Sequence, residues 1–147
     1  MITNRYKEMK DRQQAEFDNF AEKYCFFAFS EDQFKQGMKK LNLTPEKDKG
    51  RLVSFYGGGF VLKEQADSMS ELFKRFSEEV NAAIATDQTG DGFIFDMFTF
   101  ELNNHEYSYT GDPHEAIEAC GLTVEEINSN GALLAGLKKA ITACGGE

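Results

Sequence analysis

The chain has no Trp, two Pro, two His and three Cys among its 147 residues. Each scarcity excludes something. Cys25, Cys120 and Cys144 are too few and too scattered for a disulfide framework, so a reducing cytoplasm is the expected setting. No apolar run approaches the roughly 20 residues that cross a bilayer. The opening "MITNRYKEMKDRQQAEF" lacks the apolar segment of a secretory signal. Neither Cys-x-x-Cys nor His-Glu-x-x-His occurs, and no local signature pairs a nucleophile with a base. No enzyme is expected from these residues, and no cofactor.

The sharpest absence is of positive charge. From Phe76 through Leu137 there is no Lys or Arg, and those 62 residues hold 12 acidic groups. Residues 1–63 carry 12 Lys and Arg against 9 Asp and Glu, a net of +3, whereas residues 64–147 carry 4 against 16, a net of −12. An acidic solvated surface needs some net charge, yet solubility does not require cations to be excluded over such a length. The pattern points to a negative field aimed at a basic partner. Direct nucleic-acid binding is disfavoured: Lys35, Lys39, Lys40, Lys47, Lys49 and Arg51 form a local basic patch, but acids interrupt it and the second half would repel phosphate.

What is present reads as a single α+β domain over residues 1–147, a small antiparallel sheet (a hairpin plus one strand) packed by five or six helices. Residues 3–23 have helical composition with a sparse apolar face, and "YCFFAFS" suits a buried strand. Ser30 and Gln33 open a helix that presents Phe34, Met38 and Leu41. "NLTPEKDKG" reads as a polar loop. "RLVSFY-GGG-FVLK" reads as two strands about a glycine turn, a hairpin rather than a phosphate loop because no Lys-Ser/Thr follows. A helix over 68–86, a turn, and a second helix through "FIFDMFTFELNNHEY" come next. Asp112-Pro113 and the Thr123–Glu126 capping box start two short helices, and "GALLAGLKKAITAC" forms the last.

The turn "DQTGDG" has EF-hand spacing, with Asp87, Thr89 and Asp91 at positions one, three and five and Gly92 at six. Position twelve, where a bidentate carboxylate completes a calcium shell, is Phe98. Phe98 shares a stripe with Phe95 and Leu102, so a turn whose aspartates cap helix ends is expected. "NNHEYSY" reads as a helix end with its tyrosine rings packed.

The segments "YGGGF", "GDGFIFDMFTFELNNHEYSYTGD", "EACGLTVEEI" and "FFAFSEDQFKQGMKKL" resemble a family of small uncharacterised proteins from Gram-positive gut bacteria and their prophages and plasmids. The resemblance implies a mobile genetic element, where small acidic proteins counter host defence, and transfers no functional residue.

Together these readings predict a cytoplasmic nucleic-acid mimic, a host-defence inhibitor that makes a protein–protein contact with the basic nucleic-acid channel of a host nuclease. An anti-CRISPR blocking DNA binding by an RNA-guided enzyme is the expected form. The carboxylates expected at the contact are Glu78, Glu79, Asp87, Asp91, Glu115, Glu118, Glu125 and Glu126, placed at turns or opposite the apolar stripes. The alternative is a zinc-binding regulatory or structural protein using His105, His114 and the cysteines.

Overall fold

The structure, a computed structural model, describes residues 3–145. Its elements run α1 (Arg5–Tyr24), β1 (Cys25–Phe27), α2 (Glu31–Lys40), α3 (Pro45–Asp48), β2 (Leu52–Phe55), β3 (Gly59–Leu62), α4 (Ala66–Thr86), α5 (Phe93–Asn104), α6 (Tyr107–Thr110), α7 (His114–Ala119), α8 (Val124–Asn128) and α9 (Gly131–Ala143). The fold is α+β, a small antiparallel sheet with helices. Short helices exceed the expected number: "NLTPEKDKG" contains α3, started by Thr44 with Pro45 in the first turn. No described helix is long and apolar enough to cross a membrane.

The contacts divide the chain into two compact units, one of residues 12–77 and one of residues 78 onward together with those up to Asp11. The boundaries fall inside α1 and α4, where no linker composition marks them. The division also sorts charge. Residues 12–77 carry 11 Lys and Arg against 10 Asp and Glu, a net of +1; the remainder carries 5 against 15, a net of −10.

In the near-neutral unit the sheet order is β1–β3–β2, antiparallel throughout. Strand alternation sends Cys25 and Val61 to one face, against Met69, Phe17, Phe20 and Phe73. Phe26 and Phe60 go to the other, where they stack at 5.3 Å and meet Phe34 and Met38 of α2. Gly37 of α2 lies directly on the Phe26 ring, with no room for a Cβ between them.

The acidic unit is built around α5. Phe93, Ile94, Met97, Phe98 and Leu102 are buried there, with Leu133, Leu137 and Ala140 of α9, Ile117 of α7, Ile127 of α8 and Tyr6 of α1. A helix this apolar on several sides needs cover from several neighbours. The short helices α7, α8 and the longer α9 provide it, each giving one apolar side to the core and leaving its polar side outward.

Candidate acidic interaction surface

The chain between α4 and α5 is held by one carboxylate. Asp87 Oδ1 accepts from the Gly90 amide at 3.0 Å, and Oδ2 accepts from the amides of Gly92 and Ile94, each at 3.0 Å. Burial opposes ionisation of Asp87, but the amides of Ile94, Gly90 and Gly92 outweigh it and hold the carboxyl below its ordinary range. Asp87 thus caps the start of α5, which begins at the seventh position of the calcium-like spacing. Phe98 is fully buried in the core. Asp91 does not cap a helix; its carboxylate meets the Lys139 ammonium. The turn is closed on its own amides and on a lysine.

This arrangement sets a pH dependence. A carboxyl whose folded pKa is depressed adds stability that is complete above its unfolded value of about 4 and is lost as pH falls through the folded value. Asp87→Ala is expected to cost about 2 kcal/mol at neutral pH, by orphaning three amides. Urea melts from neutral to acid pH should show the gap between wild type and variant closing below about pH 4. A gap independent of pH would contradict the assignment.

Two other acids of the cation-free segment turn inward. Asp96 Oδ2 accepts from the Arg5 backbone amide at 3.0 Å and from Arg5 Nε at 2.8 Å. Glu101 is buried, accepts the Tyr6 hydroxyl at 2.5 Å, and lies 3.7 Å from His105 Nε2. Neither belongs to any surface field.

Apart from Glu78 and Asp91, the exposed carboxylates of the cation-free segment lie on the short helices and their turns. Ala116 and Ile117 anchor α7 and turn Glu115 and Glu118 to solvent; Ile127 anchors α8 and does the same for Glu125 and Glu126. Glu126 also closes the expected capping box, accepting the Thr123 amide at 3.1 Å. Glu115 sits 3.4 Å from His105 Nδ1. Asp112 accepts the His114 amide at 3.0 Å and faces its Nδ1 at 2.6 Å, and these contacts lower its pKa. With Glu106, residues 106–130 expose six carboxylates and contain no Lys or Arg.

Of the eight residues expected at a contact, Glu115, Glu118, Glu125 and Glu126 fall on two successive helices. Glu78 is exposed and Glu79 half-buried on α4, while Asp87 and Asp91 are engaged in the turn. Sequence reasoning placed both tyrosines of "EYSY" in packing. Tyr107 does pack on the core, but Tyr109 is 89% exposed among the acids. Its signal was positional: α6 is a single turn between Glu106 and Gly111, both left-handed at φ 56° and 67°, and so has only one inward side.

The soft ligands are dispersed. Cys25, Cys120 and Cys144 are buried and free. Burial pushes the thiols up, to about 11 for Cys25 and about 12 for Cys120, and raises Cys144 as well. Among the described residues, no three His, Cys, Asp or Glu side chains are grouped as a metal ion requires. A thiol reagent at pH 8 is expected to label the folded protein at least tenfold more slowly than the urea-unfolded chain, because thiolate and access are both suppressed. Equal rates would mean the thiols are open.

The fold and this surface define a small α+β protein whose net negative charge is concentrated in one of its two compact units. The chain belongs to a family of unknown function, DUF7659, whose model matches residues 5–143. No curated protein and no solved structure matches it significantly.

Proposed function

We propose that this protein is an interaction module whose acidic unit docks on a basic, nucleic-acid-binding protein and competes there with nucleic acid. The observation that supports this is the span 106–130, where six exposed carboxylates stand on consecutive short helices and the turns between them, without a Lys or Arg. Carboxylates spaced along helices approximate a row of phosphates, and a one-signed field speeds encounter with a basic cleft. The charge division between the units adds to the reading, since a net of −10 is concentrated in one of them. A mobile-element inhibitor of a host defence nuclease, an anti-CRISPR acting on an RNA-guided enzyme, is the form of the proposal that fits a host protein with such a cleft.

The test is inhibition of DNA binding by a purified RNA-guided nuclease, alongside capture of basic proteins from bacterial lysate. Glu115→Lys, Glu118→Lys and Glu125→Lys combined should weaken inhibition and capture about tenfold or more at low salt, and wild-type binding should fade as the screening length shrinks to about 8 Å at physiological salt. Glu126 is left in place so that its capping box survives. Inhibition and capture that ignore both charge and salt would remove the proposal.

A further inference from the structure

The near-neutral unit carries an open sheet edge. In the order β1–β3–β2, strand β2 is an outer strand. The register identifies its open groups. Ala28 donates its N–H to Gly58 O at 2.9 Å, so residues 58 and 60 point their backbone groups toward β1, and 59 and 61 point theirs toward β2. Their partners Phe55 and Val53 are thereby occupied, and the N–H and C=O of Ser54 and the C=O of Leu52 face outward. Among the described residues no hydrogen bond reaches these groups; the Leu52 N–H is already given to Lys49 O.

Proteins guard such edges with charge, Pro or a bulge. Here the stretch from Leu52 to Phe60 holds neither charge nor Pro. Around the glycine turn at the end of β2 collect four of the six exposed large hydrophobic side chains of the described chain: Tyr56 (87% exposed) and Val53 on the β2 side, Phe27 (47%) and Phe29 (77%) on the β1 side. The glycine turn builds this patch. The Phe29 ring lies on Gly58, the Phe55 ring lies on Gly59, and Phe27 meets Phe55 edge-on at 5.6 Å. At about 200 Å² per aromatic side chain, the three exposed rings leave roughly 400 Å² uncovered.

We propose that a second copy of the chain covers this edge, β2 pairing antiparallel with β2 across a two-fold axis with Ser54 opposite Ser54. Two features favour a second copy, and the exposed area sets its strength. Antiparallel pairing of one strand with itself is self-complementary: the two Ser54 residues exchange hydrogen bonds, the Leu52 C=O meets the Tyr56 N–H, and Val53 packs against Phe55 across the axis. The two Tyr56 rings at the paired strands supply roughly 350 Å² before Val53, backbone and flanks are added, below the ~1,000 Å² at which stable specific interfaces begin, so the dimer is a weak one. Charge also allows it, because like copies repel least through a unit of net +1 and most through one of net −10. The dimer would carry two acidic units, and it does not depend on what those units bind.

Sedimentation velocity from micromolar to millimolar protein is expected to show the mass rising toward twice the monomer. Val53→Lys should weaken association at least tenfold while circular dichroism stays unchanged. Ser54→Cys should cross-link to a covalent dimer on mild oxidation, because the Cα atoms of a hydrogen-bonded antiparallel pair lie about 5.5 Å apart, within disulfide reach. The native cysteines are buried, and Ser129→Cys, exposed in the acidic unit, is the control. Should Val53→Lys fail to fold, the cross-link decides. A chain that stays monomeric at millimolar concentration overturns the proposal. So does a dimer that tolerates Val53→Lys, or one whose Ser54→Cys form cross-links no faster than the control.

Discussion

Replacing Gly136 with alanine is expected to destabilise the protein by about 2 kcal/mol or more, although the same change in an ordinary helix interior gains about 1 kcal/mol. The sign reverses because of where α9 runs. A Cβ on Gly136 would overlap the Ile94 side chain and come within 2.9 Å of the Gly90 carbonyl oxygen. Ile94 is fully buried and cannot swing away, and the carbonyl is backbone. Gly90 is constrained in turn: its φ is 83°, and a Cβ there would meet the Ala132 carbonyl and come within 2.8 Å of the Gly136 amide. The two glycines form a seam along which the α4–α5 turn lies flat on α9. Thermal melts should place Gly136→Ala several degrees below wild type, at about 2–4 °C per kcal/mol for a chain of this size. An unchanged or raised melting temperature would mean the seam is looser than the geometry states.

How much of this was visible beforehand depends on the reach of each interaction. The hairpin, the Thr123–Glu126 capping box, the Ser30 cap and the turn after Thr86 were legible, because each is written within a few consecutive residues. The stripe of Phe95, Phe98 and Leu102 correctly placed Phe98 in the core. Other features depend on distant residues. Asp96 and Glu101 looked like surface charge because their partners, Arg5 and Tyr6, lie 91 and 95 positions away. Lys139 reaches Asp91 across 48 positions. Tyr6 lies on the sparse apolar face of residues 3–23, yet nothing near it announced that its hydroxyl would be spent on a carboxylate. The three glycines announced a turn, whereas the rings of Phe29 and Phe55 lying on two of them could be seen only after β1 had been placed beside β3. The charge imbalance between halves was plain in the sequence. Its boundary was hidden because it falls within α1 and α4, where helical periodicity continues without interruption.

Tyr6→Phe is expected to cost about 3 kcal/mol, the larger part of it from the carboxylate left behind. Glu101 is buried between α5 and α1, and its shortest bond is the one it accepts from the Tyr6 hydroxyl. Deleting that hydroxyl removes little volume, so the cost comes from stranding a buried anion rather than from a cavity. Two consequences follow that a packing defect would not produce. First, Glu101→Leu in the Tyr6→Phe background should recover much of the loss, since apolar groups of similar shape in place of both partners can be nearly neutral, and guanidinium melts of the four chains should give strongly non-additive energies. Second, burial, and then the hydrogen bond to Glu101, raise the phenol's pKa. A raised folded pKa contributes stability that is complete below the unfolded value of about 10 and is lost as pH climbs beyond it. The buried thiols weaken both chains alike in alkali, so the diagnostic quantity is the difference between wild type and Tyr6→Phe. That difference should shrink steadily above about pH 10, where the unfolded wild-type chain ionises Tyr6 and the variant has nothing there to ionise. Additive energies with a difference that is flat in pH would show instead that Tyr6 merely fills space beneath Phe93 and Phe100, the two rings it touches at 5.8 and 5.6 Å.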